Sequence, residues 1–528
     1  MPTKPLPLLG IIGAGTMGSG IALTALYAGG EVILQDAYPQ VLDKAKDYIE
    51  KFLEKKGQRD RIKKLHLAGK LDEIAKAEVV IEAAPEQLAI KQDLFRQLDQ
   101  LCKADAILAT NTSTLSVTAI AAATEQPQRV AGMHFFNPAP VLPLVEVVRA
   151  AQSSPETIQA LVELAQAMGK TPVVTGDTPG FIVNRVARPF YGEALRLLGE
   201  GVASHAEIDQ IVEQSGGFRM GPCRLMDLIG IDINAEAMRS MHAQTFGEPR
   251  YRPHWIQMQK LAEGALGQKT GRGFYEYKDG EIKDKGEGRK ENKPEIGGGT
   301  GRVLISEGSW APGLAELCQQ AGYAIDSVSE PDQKPVACFL VAGRQEEAAR
   351  LLSWYDQSLP PQIPLLAQCA DMTINEMAGW VTHPQRLFGF DGLFFGNGTA
   401  TSLVAPSDFD EGLVPKLDEL MHSLGRRVFW IGDSPALVLP RIVCQLVNEA
   451  AFAQLEGVAD AATIDLAMKL GVNYPLGPLE WGKAIGFDKV LAVLDHLYDE
   501  YHEERYRACV VLRQRARGEM PSPRRSIK

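Results

Sequence analysis

Three glycines, Gly13, Gly15 and Gly18, stand in the spacing G-x-G-x-x-G directly after the apolar run LLGII. This is the pattern of a strand, a tight turn and a helix start. The first glycine permits the turn, the second lets a pyrophosphate approach the backbone, and the third lets the helix pack on the strand. The helix N-terminus then presents free N–H groups and a positive dipole end to the anion. Gly13, Gly15, Thr16, Met17 and Gly18 are therefore candidate cofactor-binding residues. Asp36 closes the run EVILQD, 23 residues beyond Gly13. A carboxylate at that spacing accepts from a ribose 2′-OH and repels a 2′-phosphate. No arginine follows it at once (Ala37, Tyr38, Pro39). The expected cofactor is NAD rather than NADP.

A second set suits proton transfer. His134 lies in RVAGMHFFNP, and Glu146 lies 12 residues later in the apolar run LPLVEVV. Oxidising a secondary alcohol by hydride transfer needs a base for the hydroxyl proton. A histidine, with an ordinary pKa near ~6.5, is suited to that task. A lone acid in an apolar strand is costly unless paired. The competing reading is a satisfied core histidine beside a surface acid. Ser113 and Asn137 follow apolar runs in polar turns, Asn184 lies in GFIVNR, and Glu86 and Lys91 lie in PEQLAIK. For Ser113 the alternative is a helix-capping role, which is compatible with a functional one, and for Glu86 and Lys91 a helical pair on a solvated face competes evenly.

The elements that must hold these groups are strands Val79–Ala83, Ile107–Ala109 and Val130–Met133, alternating with helices. That alternation predicts a parallel sheet covered on both faces, with ligands beyond the carboxyl ends of the strands. Val41 to Leu71 reads as a polar helical pair, mostly a solvated face, with nine basic residues between Lys44 and Lys64. From Asp177 the pattern turns helical. Asp279–Gly301 is charged, rich in glycine and poor in apolar anchors, and reads as a flexible linker.

At 528 residues the chain is expected to hold about three or four domains. The net charge of −11 argues against general nucleic-acid binding. Seven scattered cysteines, with no C-x-x-C or Cys/His metal spacing, suit buried thiols in a reducing compartment. No metal is expected. No apolar run reaches membrane-spanning length, and the N-terminal run is the first strand rather than a signal peptide. A cytoplasmic enzyme is expected. The basic RRSIK end does not match a peroxisomal signal.

The second half repeats the first at an offset of 256. Gly176-Asp177-Thr178-Pro179 returns as Gly432-Asp433-Ser434-Pro435, and Glu200-Gly201-Val202-Ala203 as Glu456-Gly457-Val458-Ala459. Asp209 returns as Asp465, Gly221-Pro222 as Gly477-Pro478, and Gly230 as Gly486. A domain-sized period means duplication rather than a solenoid. RVAGMHFFNP is matched by RLFGFDGLFF, which sets Asp391 at the place of His134, while no G-x-G-x-x-G follows the run GRVLIS.

The motifs GAGTMGSGIA, NTSTLS, HFFNPAPVLPLVEVV, GDTPGFIVNRV and KTGRGFYEY together resemble the L-3-hydroxyacyl-CoA dehydrogenases. The resemblance covers Leu8 to about Tyr277, and the full length is similar to the long bacterial members of 3-hydroxyadipyl-CoA or 3-hydroxybutyryl-CoA type. It implies an α/β Rossmann-like NAD-binding domain followed by an all-α domain, with the pair repeated in degenerate form. The boundaries expected are 1–177 and 178–278 for the first pair, a linker 279–301, 302–431 and 432–516 for the second, and a basic tail 517–528. The resemblance implies that His134 is the base, Glu146 its orienter, and Ser113, Asn137 and Asn184 polar groups around the reacting oxygen. It sets Glu86 and Lys91 near the cofactor. It implies oxidation of a 3-hydroxyacyl-CoA in fatty-acid or aromatic (phenylacetate-like) catabolism. A pseudo-dimer within one chain is a further expectation, with a homo-oligomer left open. Two alternatives stand: a catalytically lost binding or structural protein of the same fold, and a related 2-hydroxy-acid or sugar-acid dehydrogenase.

Overall fold

The computed structural model describes residues 6–283, 294–326, 334–343 and 345–519. The chain divides into two compact units, Met1–Val186 with Ala453–Asn473, and Ala187–Phe452 with Tyr474–Lys528.

The first unit is built on one sheet. Its strands are β1 (Leu9–Ile12), β2 (Val32–Gln35), β3 (Leu65–Ala68), β4 (Val79–Glu82), β5 (Ile107–Thr110), β6 (Val130–Phe135), β7 (Leu144–Arg149) and β8 (Thr171–Gly176). They lie in the order β3-β2-β1-β4-β5-β6-β7-β8. Between them run helices α1 (Thr16–Tyr27), α2 (Pro39–Lys55), α3 (Leu88–Leu101), α4 (Val117–Ala121) and α5 (Pro155–Ala167), and α6 (Val183–Val186) follows β8. Alternate strand residues face opposite sides. Ile11 and Leu34 pack with Ile21 and Leu23 of α1, Ile49 of α2 and Leu161 of α5. Ile12, Ile33 and Val80 pack with Phe95 of α3 and Val117 of α4 on the other face.

Two expectations are corrected here. The 41–71 segment is not a helical pair. After α2 the chain makes a short 3-10 turn at Arg59–Lys64 and then the edge strand β3. Its basic residues also do more than solvate a face. Arg61 donates to the carbonyls of Leu26 (2.9 Å) and Tyr27, and Lys64 to that of Gly29 (2.7 Å). They satisfy the C-terminal end of α1, where cations are favoured. The sheet is also mixed rather than parallel throughout. β6 and β7 pair antiparallel, with His134 directly opposite Glu146.

The second unit opens with α7 (Arg188–Gly199), α8 (His205–Gln214), α9 (Pro222–Ile229), α10 (Ile231–Gln244) and α11 (Trp255–Ala262). A hairpin of β9 (Tyr277–Lys278) and β10 (Glu281–Ile282) ends this block. The KTGRGFYEY segment is pinned by two buried aspartates. Asp209 accepts from the Tyr275 hydroxyl (2.7 Å), and Asp227 from the backbone of Phe274 (2.9 Å) and Tyr275 (3.0 Å) and from the Tyr277 hydroxyl (2.9 Å). The flexible linker expected over 279–301 is corrected in part. Glu281–Ile282 belongs to the hairpin, and in 294–301 the amides of Gly297 and Gly299 donate to Ser423 and Ala321. Residues 284–293 lie outside the described residues.

A second sheet follows, with β11 (Arg302–Ile305), β12 (Ala324–Asp326), β13 (Ala337–Leu340), β14 (Leu365–Gln368), β15 (Leu387–Phe390), β16 (Ala400–Val404) and β17 (Arg427–Ile431). Its order is β12-β11-β13-β14-β15-β16-β17, the order of the first sheet without its outermost strand. Again one internal pair, β15 and β16, is antiparallel. Helices α12 (Leu314–Ala321), α13 (Gln345–Ser358), α14 (Ile374–Ala378) and α15 (Val414–Ser423) flank it. The chain closes with α16 (Leu439–Leu455), α17 (Ala461–Val472), α18 (Pro478–Ile485), α19 (Phe487–Tyr501) and α20 (Val510–Ala516).

Each unit draws on both halves of the sequence, and the contacts repeat at the offset of 256. In the first unit the Gly176 amide donates to Val458 O (3.0 Å), and Arg185 pairs with Glu456 (2.8 Å). In the second the Gly432 amide donates to Val202 O (2.8 Å), and Arg441 pairs with Glu200 (2.7 Å). Arg441 is fully buried and also binds Glu193 (2.9 Å), while Tyr506 donates to Glu193 (3.0 Å). Likewise α17 packs on β7, β8 and α6 in the first unit, and α8 packs on β16 in the second.

Candidate active site

The glycine loop joins β1 to α1, and each glycine is there for a different steric reason. Gly13 has φ +92°, and a Cβ on it would sit 2.6 Å from the carbonyl oxygen of Ala83. On Gly18 a Cβ would sit 1.7 Å from Gly13 O, so helix and turn touch. Gly15, the residue before α1, has open space around it. The residue is exposed, which leaves the first-turn N–H groups at Thr16 and Met17 open to an approaching anion such as a pyrophosphate. Asp36 stands just past β2. It accepts from the Ala14 amide (2.9 Å) through one oxygen and from Tyr38 N (3.0 Å) through the other. Each oxygen keeps a second lone pair for a ribose hydroxyl. These residues fit NAD.

Next to this loop lies a charge cluster that the sequence reading half missed. Lys91 is buried in α3, so the solvated-face reading fails for Lys91, while Glu86 lies on the exposed side of the pair. Its ammonium binds Glu82 (2.6 Å), at the end of β4, and Glu86 (3.3 Å). Glu82 also accepts from the Thr110 hydroxyl (2.7 Å). Glu86 accepts from the Thr112 hydroxyl (2.6 Å) and the amides of Ser113 (3.0 Å) and Thr114 (3.2 Å). Burial works against its charge, but Lys91 and these donors hold its carboxyl below the ordinary range. Glu82 and Thr110 went unread. The available signal was an ionisable residue ending the apolar run VVIE, which cannot be buried unpaired.

His134 lies near the end of β6 and Glu146 within β7, both buried. His134 Nδ1 is 2.7 Å from Glu146 Oε2. The other carboxylate oxygen accepts from the backbone amides of Ile182 and Val183, 3.0 Å each. The acid is therefore a buried, fully bonded partner and not a surface residue. Because a carboxylate only accepts, Nδ1 carries the proton and Nε2 is the basic nitrogen. The backbone that supplies those two amides is bent. Gly180 (φ +78°) and Phe181 (φ +50°) are both left-handed, a conformation costly for phenylalanine. The Phe181 ring lies 5.9 Å from the His134 ring and Phe136 4.5 Å from it, which walls the imidazole with aromatic surface.

The remaining predicted residues lie on segments adjoining those of this pair. Asn184 Nδ2 donates to the Ser113 carbonyl (3.4 Å), which brings β5's turn and α6 together. Asn137 is exposed just beyond β6. Ser113 is not the cap of α4. That role belongs to Ser116, aided by Asp177, which accepts from the amides of Val117 (3.0 Å) and Thr118 (2.6 Å). Asn111, unread in the sequence, accepts from the amide of Phe135 (2.8 Å) and fixes the strand end after His134.

At the equivalent point of the second sheet, β15–β16 register places Asp391 opposite Ser402, where β6–β7 has His134 opposite Glu146. Burial pushes the Asp391 carboxyl up to about 7. The turn after β11 carries Trp310, whose indole nitrogen would lie 1.6 Å from a Cβ on Gly343. The indole therefore packs directly against the backbone at Gly343, just past β13.

Comparison with known proteins decides the family. Two family models match this chain: 3-hydroxyacyl-CoA dehydrogenase, NAD binding domain, over residues 8–178, and 3-hydroxyacyl-CoA dehydrogenase, C-terminal domain, over 180–277 and again over 437–521. The chain belongs to the 3-hydroxyacyl-CoA dehydrogenase family. It is similar along nearly its whole length to a 3-hydroxyadipyl-CoA dehydrogenase of Escherichia coli, 37% identical over 96% of each chain. A crystal structure described as 3-hydroxybutyryl-CoA dehydrogenase from Escherichia coli matches with a TM-score of 0.79 at 34% identity, covering 98% of this chain and 99% of that one. A 3-hydroxybutyryl-CoA dehydrogenase of Clostridioides difficile is 39% identical over 51% of this chain and 99% of its own length. As a member of this family the chain is an NAD-dependent oxidoreductase, with a Rossmann-like NAD-binding domain followed by a helical domain. Among the described residues no helix is long and apolar enough to cross a membrane, and no cluster of metal ligands occurs.

Proposed function

We propose that this chain oxidises the hydroxyl of an (S)-3-hydroxyacyl-CoA thioester to the 3-oxo group, using the His134–Glu146 pair in the first domain. The observation that carries the proposal is the buried 2.7 Å contact between His134 Nδ1 and Glu146, itself fixed by two backbone amides. His134 Nε2 takes the hydroxyl proton as the C–H hydride leaves. Glu146 holds the ring and stabilises the imidazolium that forms. Bound NAD would supply the hydride acceptor, its pyrophosphate on the Gly13–Gly18 loop and its adenosine ribose at Asp36. Ser113, Asn137 and Asn184 would orient the reacting oxygen. Glu86 and Lys91, locked to Glu82 and the 112–114 turn, would shape the cofactor side.

The second half is read as a degenerate copy that has lost redox chemistry and keeps a packing role. Full loss of function in the first half is disfavoured by the intact pair. A sugar-acid or 2-hydroxy-acid dehydrogenase with a lysine base finds no support, because the buried Lys91 is bound to two carboxylates. The full-length relative is named for a dicarboxylic acyl group, and such a substrate would suit catabolism of aromatic compounds. A panel from 3-hydroxybutyryl-CoA to 3-hydroxyadipyl-CoA, followed by NADH absorbance, tests the reading. Turnover of at least one thioester is expected. No NADH from any of them, with a 2-hydroxy acid oxidised instead, would overturn it.

A further inference from the structure

Lys170 stands between α5 and β8 and is 9% exposed. Its ammonium donates to the carbonyls of Ala139 (2.5 Å) and Leu142 (2.8 Å). Both belong to the 136–143 connection that carries Asn137 and joins the strand of His134 to the strand of Glu146. The rest of this loop is held by local turns, with Val141 and Leu142 amides on Pro138 O, and by Thr171 N on Pro143 O (2.8 Å). Ala139 is buried, and a Cβ on Gly20 of α1 would lie 3.3 Å from it and from Pro140. One cation thus fastens a loop that touches the dinucleotide helix on one side and ends at the reacting groups on the other.

We propose that Lys170 is a positioning residue for the reaction, its ammonium clamping the 137–143 loop so that Asn137 and the Ala139–Pro140 wall against α1 keep their places. The inference rests on the reading of His134 to Asn137 as the reacting end of the site. A bond from an ammonium to a carbonyl is shorter and stronger than one from a neutral amine. Burial, together with the positive charge of Lys56 at the end of α2, brings the Lys170 amine down to about 8. The clamp is therefore charged at neutral pH and loses its charge in the mildly alkaline range.

The test compares pH profiles of kcat/KM for the acyl-CoA in the full-length enzyme, Lys170→Arg and Lys170→Met. The unmodified enzyme should lose kcat/KM with an apparent pKa near about 8. Lys170→Arg, whose guanidinium stays charged, should move that fall upward by more than about one pH unit. Lys170→Met should lower kcat/KM at pH 7 by roughly tenfold and abolish the fall, as expected for loss of charge-assisted bonds, with NAD affinity changed less than about twofold. If Lys170→Met does not fold, the shift in Lys170→Arg decides. An alkaline limb unmoved in Lys170→Arg, beside an inactive His134→Ala, overturns this inference and leaves the site reading standing. Full activity in His134→Ala overturns the site reading itself.

Discussion

At the scale of single residues, the site is a set of ionisable groups made affordable by specific partners. Glu146 is buried beside an imidazole and two amides, and Lys91 between two carboxylates. The His134–Glu146 pairing was legible because an acid inside LPLVEVV needs a partner and the surrounding motifs supplied one. The burial of Lys91 was not legible, because the spacing i, i+5 to Glu86 fits an exposed helix face as well as a buried cation. Lys170 was invisible for a similar reason: a lysine after a helix end looks like any surface lysine until its two carbonyl partners are known. Asp36 carries a prediction at this scale. If it binds the adenosine ribose as proposed, its charge would oppose a 2′-phosphate, so NAD should be preferred over NADP, and Asp36→Ala should narrow that preference by roughly tenfold or more. Comparing kcat/KM for the two cofactors checks it, and an unmodified enzyme that prefers NADP contradicts it.

Among the elements, the strands bearing the site were read closely and the edges poorly. β1, β2, β4, β5 and β6 are continuous apolar runs of the kind a central strand shows. The edge strand β3 was lost because LHLA is short, half exposed and preceded by basic residues. The strand β8 went unread because TPVVTG carries a proline at its second position and lies at the opposite edge. The antiparallel turn at β6–β7 could not be read from periodicity, yet it sets His134 opposite Glu146. In the second sheet the same register sets Asp391 opposite Ser402. Burial raises the Asp391 carboxyl to about 7, above its unfolded value. Its stabilising contribution is then complete below the ordinary carboxylate range and disappears as pH rises through about 7. Asp391→Asn should therefore raise the melting temperature at pH 8 by roughly 5 °C and leave it little changed near pH 4. Scanning calorimetry at both pH values is the check, and an equal shift at both would refute it.

For the whole molecule, the repeat detected in the sequence returns as reciprocal contacts, with Gly176 on Val458 and Gly432 on Val202. The second sheet has no G-x-G-x-x-G after β11, and its register sets Asp391 where the first sheet has His134. Calorimetric titration should accordingly find one NAD per chain, and two sites of similar affinity would refute the assignment of a lost second site. In the first unit α17 of the second half covers β7, β8 and α6, with Gly471 against Leu144 and Val183. Truncation near Gly298 strips that cover. The shortened chain is expected to self-associate or aggregate, and a soluble monomer as heat-stable as the full chain would refute an intramolecular pseudo-dimer.

The central claim is that one His–Glu pair in the first domain does the chemistry. Its most direct test is the steady-state kcat of full-length His134→Ala with NAD and the best acyl-CoA of the panel. Loss of general-base catalysis predicts a fall of roughly 10²–10⁴ with NAD binding preserved, whereas turnover close to that of the unmodified enzyme would contradict the claim.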